Sequence, residues 1–406
     1  MTEFRLVDLE EIRRLPALLE GLAAEAGSIA EGLVDIAHSE MAAVDRIASW
    51  AGDSAGFVTG KAAAALPAGS SGFEASQSLP GDTGAFRSAP TLDELIESSK
   101  SRVWDELWLV VAELNRCSKL GVNEGRLFDG LLSDYNTLVR LIGTNLVYFA
   151  VDRSVPIGSR SGRAGYRAGV WLGPVSAEHV LVMIPGMNTT TAGWLDHNLA
   201  DAERLLAEAT ALAEHNALGK VAVVPLLSYA APQSFLEAVL SRRWKEGSRE
   251  TAGVLASLPL EGRHVTGWGH SYGAAVLGAA SARSAAFDDL IMVGGAGTGT
   301  ETLAELGVGS DHLYVATNWN DPIRLVPNDY HGVSPASLPH VPVPTEPATD
   351  FDPWKAILSV PWFLIDGLPD HNYLEDDIAL RAFAAIAVGL DELADRRSSP
   401  DRLVAF

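Results

Sequence analysis

The residue pattern with the clearest chemical meaning is GHSYG, in which Ser271 lies between Gly269 and Gly273. The preceding HVTG is typical of a β-strand, and the alanine-rich run after it is typical of an α-helix. Between a strand and a helix, G-x-S-x-G forms a sharp turn that strains the serine backbone and exposes its hydroxyl. The glycines avoid clashes with the strand and the helix. We therefore predict a nucleophilic Ser271; a glycine-rich turn with an incidental serine is the alternative.

A nucleophilic serine needs a general base and an acidic residue, and two later segments supply candidates. An imidazole must accept the proton of the hydroxyl, and a carboxylate orients the imidazole. Around a turn of this kind the chain order is serine, acid, histidine. Asp321 follows the apolar stretch HLYVATNW, and His371 follows PWFLIDG. Because both would lie past the carboxyl ends of strands, we predict Asp321 as the acid and His371 as the base.

Other acidic residues and histidines compete for these two roles. Three aspartates are expected before strands, at the opposite edge of the sheet: Asp288, Asp289 and Asp311. Two more flank the predicted base and could cap a turn: Asp366 and Asp370. The rival bases His331 and His340 fit a lid or a pocket loop better. His270 adjoins Ser271, but its side chain should point away around the turn.

An acyl-transfer site also needs hydrogen-bond donors for the negative oxygen of the tetrahedral intermediate. One expected donor is the backbone N–H of Tyr272, the residue after the nucleophile. The second should come from the loop after an earlier strand, and HVLVMIPGMNTT offers that arrangement. Gly186 lets the backbone turn inward, so we predict the N–H of Met187 as this donor, before that of Asn188. An ordinary Pro-Gly turn is the alternative.

Two residues in these segments are predicted to contact substrate. They are Trp319, two residues before the predicted acid, and Asn188, in the loop after the earlier strand. The proline-rich stretch from Tyr330 to Trp354 lies between the predicted acid and base and is expected to shape the mouth of the pocket. Further tryptophans could line an apolar acyl site or fill the core: Trp194, Trp268, Trp354 and Trp362.

No cofactor and no metal are predicted for this chain. The ten histidines are scattered, and neither an H-E-x-x-H motif nor a Cys/His ligand spacing occurs. The glycines of VGGAGTGTE loosely resemble a dinucleotide-binding loop, but their spacing is wrong, so a loop after a strand is the better interpretation. The only cysteine, Cys117, lies in an apolar periodic segment and is expected to be a small buried residue.

Charge and composition exclude several classes of partner. The 406 residues carry a formal net charge of −22, and 47% of them are hydrophobic. Such a chain repels polyanions, and no strongly basic patch occurs, so neither nucleic acid nor an anionic membrane is expected as a partner. No apolar run is long enough to span a bilayer, and the charged N-terminus lacks a signal-peptide core. A cytoplasmic location is therefore expected.

The first part of the sequence predicts a helical domain over residues 1–150. Its first 66 residues show helical spacing of apolar side chains, and a Gly/Ser-rich loop follows at about 68–90. A second helical stretch begins at Thr91, where Glu94 completes a capping-box pattern. We expect it to continue to about Phe149, with breaks near two glycines, Gly121 and Gly130.

The remainder predicts an α/β domain over residues 155–406. Short β-branched runs alternate there with Ala/Leu-rich helical runs. The expected strands are HVLVMIPG, KVAVVPLLSY, HVTGWGHS, DLIMVGGAG, HLYVATNW and VPWFLIDG. Alternation of apolar strands with helices indicates a mostly parallel sheet that is covered by helices on both faces.

Five motifs together resemble an actinobacterial α/β-hydrolase family catalogued as a domain of unknown function: IPGMNTT, VAVVPLLSYAAP, GHSYG, ATNWNDPI and DHNYL. The resemblance covers about residues 165–380. It implies an α/β-hydrolase fold and the roles of nucleophile, acid and base for Ser271, Asp321 and His371, but it supplies no substrate. In one departure, the Gly-Tyr-Asp-Ala-Pro element of relatives is replaced here by SYAAP, which has no acidic side chain.

The N-terminal part shows a second, weaker resemblance. Trp50 and Gly52 in SWAG, with Tyr148 and Asp152 in YFAVD, look like the W-x-G and Tyr-x-x-x-Asp motifs of helical-hairpin substrates of type VII secretion. This would make the helices an export signal that binds a secretion partner. The alternative is a cytoplasmic cap or a homo-oligomerisation module. The Gly/Ser-rich stretch is long for a hairpin turn, which favours the cap.

The residues together predict a serine hydrolase that cleaves a small-molecule carboxylic ester or acyl substrate through a covalent acyl-enzyme. Two alternatives stay open at this stage. The chain could be a non-catalytic protein that uses a hydrolase-like scaffold for binding or assembly. It could also be an amidase or a peptidase that uses the same three residues.

Overall fold

The computed structural model describes residues 90–122, 124–234, 237–238, 243–318, 321, 323, 331–345 and 373–390. The chain divides into two compact units, residues 1–85 and 86–406, and all described residues belong to the second. Several predictions lie outside the described residues. They concern the N-terminal helical spacing, most of the Gly/Ser-rich stretch, the strand VPWFLIDG, Trp319 and His371.

Two long helices begin the described part of the chain. α1 (Leu92–Lys119) starts with the predicted capping box: the Glu94 N–H donates to Thr91 Oγ1 at 3.3 Å, and the Thr91 N–H donates to Glu94 Oε2 at 2.7 Å. The box satisfies backbone donors that the first turn of a helix leaves unpaired. Cys117 near the end of α1 is buried, as predicted. The predicted break near Gly121 is confirmed, since α2 (Arg126–Ile142) follows a short turn.

Two details of the helical prediction are wrong. The second helical stretch does not reach Phe149, because α2 ends at Ile142 and the chain forms strand β1 (Leu146–Val151). The β-branched and aromatic side chains of LVYFAV favour a strand. Gly130 lies inside α2 and does not break it. A Cβ at Gly130 would lie 1.8 Å from the carbonyl oxygen of Gly158, so this glycine lets the loop after β1 approach the helix.

Eight strands form one sheet in the described part of the chain. After β1 they are β2 (Tyr166–Val170), β3 (His179–Ile184), β4 (Val221–Leu227), β5 (His264–His270), β6 (Asp289–Val293), β7 (Leu313–Ala316) and β8 (Val341–Pro342). Their order across the sheet is β1-β2-β4-β3-β5-β6-β7-β8. β2 is antiparallel to both of its neighbours, and all other pairs are parallel. The predicted mostly parallel sheet is therefore confirmed.

The predicted domain boundary at about 150–155 falls at the end of β1. Because β1 pairs with β2 along its length, the chain on either side of this boundary contributes to the same sheet. The helix α1 packs against β1 as well as against α2. The division into a helical domain and an α/β domain stays a prediction, since residues 1–89 lie outside the description.

Helices cover both faces of the parallel part of the sheet. They are α3 (Leu199–His215), α4 (Arg243–Ser257), α5 (Tyr272–Ser284), α6 (Leu303–Leu306) and α7 (Asp377–Ala387). Alternate residues of β3 face opposite layers: Val180 and Val182 share a core with α4 and α5, whereas Leu181 and Met183 share one with α3 and α7. Strands buried on both faces explain the continuous apolar runs in the sequence.

Candidate active site

Ser271 occupies a strained turn at the carboxyl end of the central strand β5. Its backbone has φ 54° and ψ −124°, and helix α5 begins at the next residue. A positive φ is unfavourable for a residue with a side chain, so the surrounding structure must hold it in place. The Ser271 N–H donates to the carbonyl oxygen of Val293 at 2.8 Å, and its carbonyl oxygen accepts from Ala274 at 3.0 Å. These bonds fix the turn between strand and helix.

The two glycines of GHSYG are required by close backbone approaches. A Cβ at Gly269 would lie 2.8 Å from the Cα of Ala274. A Cβ at Gly273 would lie 2.4 Å from the carbonyl oxygen of Pro185. Real Cβ atoms do not come this close to backbone atoms. A larger residue at either position would therefore displace the loop after β3 or the turn from β5 through Ser271 into α5, which we call the elbow. The spacing that pointed to Ser271 therefore has a steric cause.

The loop after β3 lies directly against the elbow. A Cβ at Gly186 would lie 2.9 Å from the Cβ of Ser271, which places the backbone of this loop beside the predicted nucleophile. The next two residues are the alternative oxyanion donors. The N–H of Asn188 donates to the carbonyl oxygen of Pro232 at 2.7 Å, whereas the N–H of Met187 makes no hydrogen bond within the described residues. Of these two N–H groups, that of Met187 is the one that no described residue accepts from.

Residues after β4 hold the β3 loop in place through three hydrogen bonds. The Tyr229 hydroxyl donates to the Pro185 carbonyl oxygen at 2.7 Å. The bond from Asn188 to Pro232 is the second, and Gln233 Nε2 donates to the Thr189 carbonyl oxygen at 3.2 Å. The first two of these bonds involve the SYAAP segment, where the resemblance implied an acidic side chain. Here its tyrosine and its backbone support the loop that carries Met187.

The side chain of Tyr272 packs away from the turn into an aromatic cluster. Its ring stacks on that of Tyr229, with centroids 6.1 Å apart, and meets the edge of His331 at 5.0 Å. Its hydroxyl accepts a hydrogen bond from the backbone N–H of Trp244 at 2.9 Å. Because the ring is anchored by α4 and by two other aromatic residues, the first residue of α5 is fixed beside Ser271.

Two of the rival bases are engaged elsewhere in the described structure. His331 is buried, and its Nε2 lies 2.9 Å from the carbonyl oxygen of Ala238. Burial lowers the pKa of His331 below its ordinary value, so the ring stays neutral near pH 7 and supports Tyr272. His340 Nδ1 lies 2.7 Å from the carbonyl oxygen of Leu338, next to β8. These contacts favour the interpretation that both histidines belong to supporting loops.

Asp321 is buried beyond the end of β7, and its carboxylate accepts hydrogen bonds from two donors among the described residues. The backbone N–H of Ile323 donates to Oδ1 at 2.9 Å, and the hydroxyl of Tyr373 donates to Oδ2 at 2.6 Å. Tyr373 in turn accepts from the backbone N–H of Asn318 at 2.7 Å. Sequence reasoning did not name Tyr373 as a site residue. Its only signal is its position in the DHNYL motif, two residues after the predicted base.

A chain of contacts connects the carboxylate to the elbow. The ring of Tyr373 meets that of His270 edge to face, with centroids 6.4 Å apart, and His270 stacks on Trp268 at 5.8 Å. His270 immediately precedes Ser271. The structure thus brings Asp321 and Ser271 to the same edge of the sheet, with Tyr373 and His270 between their segments. His371 and Trp319 lie outside the described residues.

The competing aspartates Asp288 and Asp289, at the start of β6, lie at the opposite edge of the sheet, as expected. Asp289 is the first residue of β6, and its carboxylate lies 2.7 Å from His264 Nε2 and 2.8 Å from His312 Nδ1. Asp288 accepts from the backbone N–H of Val265 at 2.8 Å. Both carboxylates thus contact the chain at the amino ends of strands, away from the elbow.

Two kinds of feature are absent from the described residues. No group of three or more His, Cys, Asp or Glu side chains is arranged there to hold a metal ion. In the same part of the chain, no helix combines the length and the apolar character needed to cross a membrane.

The sheet order, with a strained serine after its central strand, defines an α/β-hydrolase fold. In agreement, the sequence profile of a family described as alpha/beta hydrolase matches residues 162–329. The matched segment contains the β3 loop, the elbow and Asp321. The fold predicted from the sequence is therefore confirmed, and the match supports a hydrolase.

Relatives are found among mycobacterial proteins. Uncharacterized proteins of Mycobacterium tuberculosis and Mycobacterium bovis are 28% identical to this chain over 182 residues. The aligned part is 42% of this chain and 68% of each relative. These relatives agree with the resemblance to an actinobacterial hydrolase-like family of unknown function.

Two solved structures with limited similarity are described as hydrolases. A dienelactone hydrolase-like promiscuous phosphotriesterase from metagenomic libraries is 14% identical, with 55% of this chain and 93% of that chain covered and a TM-score of 0.33. The dienelactone hydrolase of Anabaena variabilis is 17% identical, with 53% and 94% covered and a TM-score of 0.28. At these scores the similarity defines no detail of the site.

The comparisons give no support to the likeness with secreted W-x-G proteins. Trp50 lies outside the described residues. Tyr148 lies within strand β1, and Asp152, directly after it, pairs with Arg167 on β2 at 3.2 Å. In the described structure these two residues belong to the edge of the sheet.

Proposed function

We propose that this chain is a serine hydrolase that cleaves carboxylic esters through a covalent acyl-enzyme on Ser271. The observation that carries the proposal is the backbone of Ser271, which is held at φ 54° between β5 and α5 with the β3 loop against its Cβ. Strain of this kind is costly and is characteristic of nucleophile elbows. A turn that only connected a strand to a helix would not require it.

In the proposed acylation step, the Oγ of Ser271 attacks the carbonyl carbon of the ester and forms a tetrahedral intermediate. His371 accepts the hydroxyl proton and then donates it to the departing alcohol. Asp321 orients the imidazole and stabilises its charged form. Water, activated by His371 in the same way, then attacks the acyl-enzyme, releases the acid and restores Ser271.

The negative oxygen of the intermediate requires donors that are in place before the reaction. We propose the backbone N–H groups of Tyr272 and Met187 for this role. Tyr272 is the first residue of α5, so its N–H lies at the positive end of a helix dipole. Three hydrogen bonds from the chain after β4 hold the loop that supplies Met187. Loops fixed in this way do not have to reorganise when the charge develops.

The test is covalent labelling of the whole chain with a fluorophosphonate probe, followed by mass spectrometry. We expect the probe on Ser271 and loss of p-nitrophenyl ester hydrolysis in Ser271→Ala. Ser284→Ala is the matched control, because this serine lies at the other end of α5 and donates only to the Ala280 carbonyl oxygen. An unlabelled wild-type chain would favour a non-catalytic protein on a hydrolase scaffold.

The substrate class is proposed as a small ester or acyl compound with an apolar acyl group. Trp319 and Asn188 are the residues proposed to contact it. Asn188 supports this role by its position, since it is exposed in the loop after β3 with a backbone φ of 59°. Paired ester and amide substrates with the same acyl group would test the preference, and faster amide cleavage would assign the site to an amidase or a peptidase.

A further inference from the structure

We propose that Tyr373 is a positioning residue, which holds the carboxylate of Asp321 in the orientation that the catalytic histidine requires. The inference rests on the proposed function, in which Asp321 orients His371. It adds a residue to the site that is neither the nucleophile, the base nor the acid. Tyr373 does not touch the substrate in this account, and it acts only through Asp321.

The geometry carries this inference. The Tyr373 hydroxyl donates to Asp321 Oδ2 at 2.6 Å, a short hydrogen bond between a hydroxyl and a carboxylate. The same hydroxyl accepts from the backbone N–H of Asn318 at 2.7 Å, so its hydrogen is directed at the carboxylate. On the other side of the carboxylate, Ile323 donates to Oδ1 at 2.9 Å. Donors on both oxygens prevent the carboxylate from rotating about its Cβ–Cγ bond.

Because both side chains are buried, the loss of either hydrogen bond would have a large effect. Asp321 is 2% exposed and Tyr373 is 3% exposed, so water does not replace a lost donor readily. A buried carboxylate with one donor removed has an oxygen with an unsatisfied hydrogen bond and is less restricted in orientation. Both effects weaken its ability to hold an imidazole in one tautomer.

The position of Tyr373 in the chain gives the bond a second consequence. Tyr373 follows the predicted base by two residues, and two residues of extended chain span only about 7 Å. Helix α7 follows at once, and its N-cap Asp376 accepts from the N–H groups of Ile378 and Ala379. The bond to Asp321 therefore ties the segment that carries the base to the residue that orients it.

The test is the Tyr373→Phe variant, which removes only the hydroxyl. We expect kcat for a p-nitrophenyl ester to fall about 10- to 100-fold with KM nearly unchanged, because the lost bond supports the transition state and not substrate binding. Asp321→Ala should lower kcat further. In the double variant, kcat should equal that of Asp321→Ala, since a residue that acts only through the carboxylate adds nothing once no side-chain oxygen is left at position 321.

Two outcomes separate the inference from the proposed function. A wild-type chain that the fluorophosphonate probe does not label overturns both. A labelled wild-type chain with an unaffected Tyr373→Phe variant, or with losses that multiply in the double variant, overturns the role of Tyr373 alone. Tyr166→Phe is the matched control: its hydroxyl is also buried, on β2, and its removal should leave kcat unchanged.

A second variant keeps the test decisive if Tyr373→Phe folds poorly. Replacing Tyr373 with 2,3,5-trifluorotyrosine retains the ring and the hydroxyl but lets the phenol ionise at lower pH. A phenolate cannot donate to Asp321, so the rate of probe labelling should fall, relative to wild type, as pH rises through the ionisation of the fluorinated phenol. A ratio of labelling rates that stays constant over the pH range in which ultraviolet absorbance shows that the fluorinated phenol ionises would overturn the inference.

Discussion

The hydroxyl of Tyr229 donates a 2.7 Å hydrogen bond to the carbonyl oxygen of Pro185, and this bond joins the chain after β4 to the loop after β3. Complete burial raises the pKa of Tyr229 well above its ordinary value, so the hydroxyl remains a donor at alkaline pH. Pro185 precedes the segment that we propose for the oxyanion. The position of Met187 therefore depends on a tyrosine that does not itself line the site.

Replacement of Tyr229 by phenylalanine should affect both stability and activity. The Pro185 carbonyl oxygen would lose its buried donor, at a cost of about 1–3 kcal/mol in the free energy of unfolding. We expect kcat to fall by less than the roughly 100-fold loss typical of removing an oxyanion donor outright, because the loop would shift but Met187 would remain. Urea unfolding and ester hydrolysis measure the two effects. Wild-type kcat in this variant would remove the loop from the mechanism.

A Gly273→Ala substitution should disrupt the elbow. The new Cβ would lie 2.4 Å from the Pro185 carbonyl oxygen and 2.5 Å from that of Ile184, and neither backbone atom can retreat without moving β3. We expect destabilisation of at least about 1–3 kcal/mol and loss of probe labelling.

Gly253→Ala is the matched control for this substitution. Gly253 lies within α4, and a Cβ there would have no heavy atom within 4 Å. Alanine should stabilise the helix by about 0.5–1 kcal/mol. The melting temperature and the probe labelling of both variants test this prediction. A fully active and stable Gly273→Ala protein would contradict the close approach of α5 and the loop after β3.

The carboxylate of Asp289 should make stability depend on pH. Its hydrogen bond raises the pKa of His264, against the effect of burial. Because this pKa is raised in the folded state, the stabilisation is fully present below about pH 6.5 and is lost as pH rises through the raised value. Asp289→Asn should therefore lower the free energy of unfolding more at about pH 6 than at about pH 9.

The comparison of Asp289→Asn with wild type must allow for a second histidine next to His264. His179 Nδ1 lies 3.4 Å from His264 Nδ1, and burial, followed by the charge of His264, lowers the pKa of His179. His179 therefore disfavours folding at low pH, so variant and wild type must be compared at each pH. Asp288→Asn is the control. The carboxylate of Asp288 accepts from a backbone N–H, so the stability that this variant loses should depend less on pH. Equal losses by Asp289→Asn at both pH values would refute the pairing with His264.

Replacement of Trp319 by alanine tests the proposed acyl site. If this side chain contacts substrate, KM or the preferred chain length of p-nitrophenyl esters should change more than the melting temperature. Trp108→Ala is the control: this residue is 68% exposed on α1, and neither property should change. A large fall in melting temperature with unchanged KM would assign Trp319 to the core.

Much of the parallel sheet could be predicted because its signals are local. The continuous apolar runs at β3, β4 and β6 indicate strands buried on both faces. At the elbow, the glycines on either side of Ser271 report steric contacts that only this turn creates. In such places the residues that determine the local structure lie within one short stretch of sequence.

Other elements depend on contacts between distant segments and were missed for that reason. No proline separates β1 from the helix before it, and the spacing of its apolar residues fits a helix as well as a strand. The role of Tyr373 depends on a bond to Asp321, and that of Tyr229 on a bond to Pro185. A single tyrosine in an apolar stretch gives no indication of which distant oxygen it binds.

The last strand of the described sheet has a consequence for how the protein behaves at high concentration. β8 pairs with β7 only through two residues, and the N–H of Val343 donates inward to Val315 at 2.9 Å. Alternate residues along an extended strand direct their N–H groups to opposite sides, so positions 342 and 344 face outward, and both are proline. At these positions a strand from another molecule would find no amide hydrogen to bind. Among the residues that the structure describes, β8 is the last strand at this end of the sheet, and its two prolines disfavour the intermolecular strand pairing that begins aggregation.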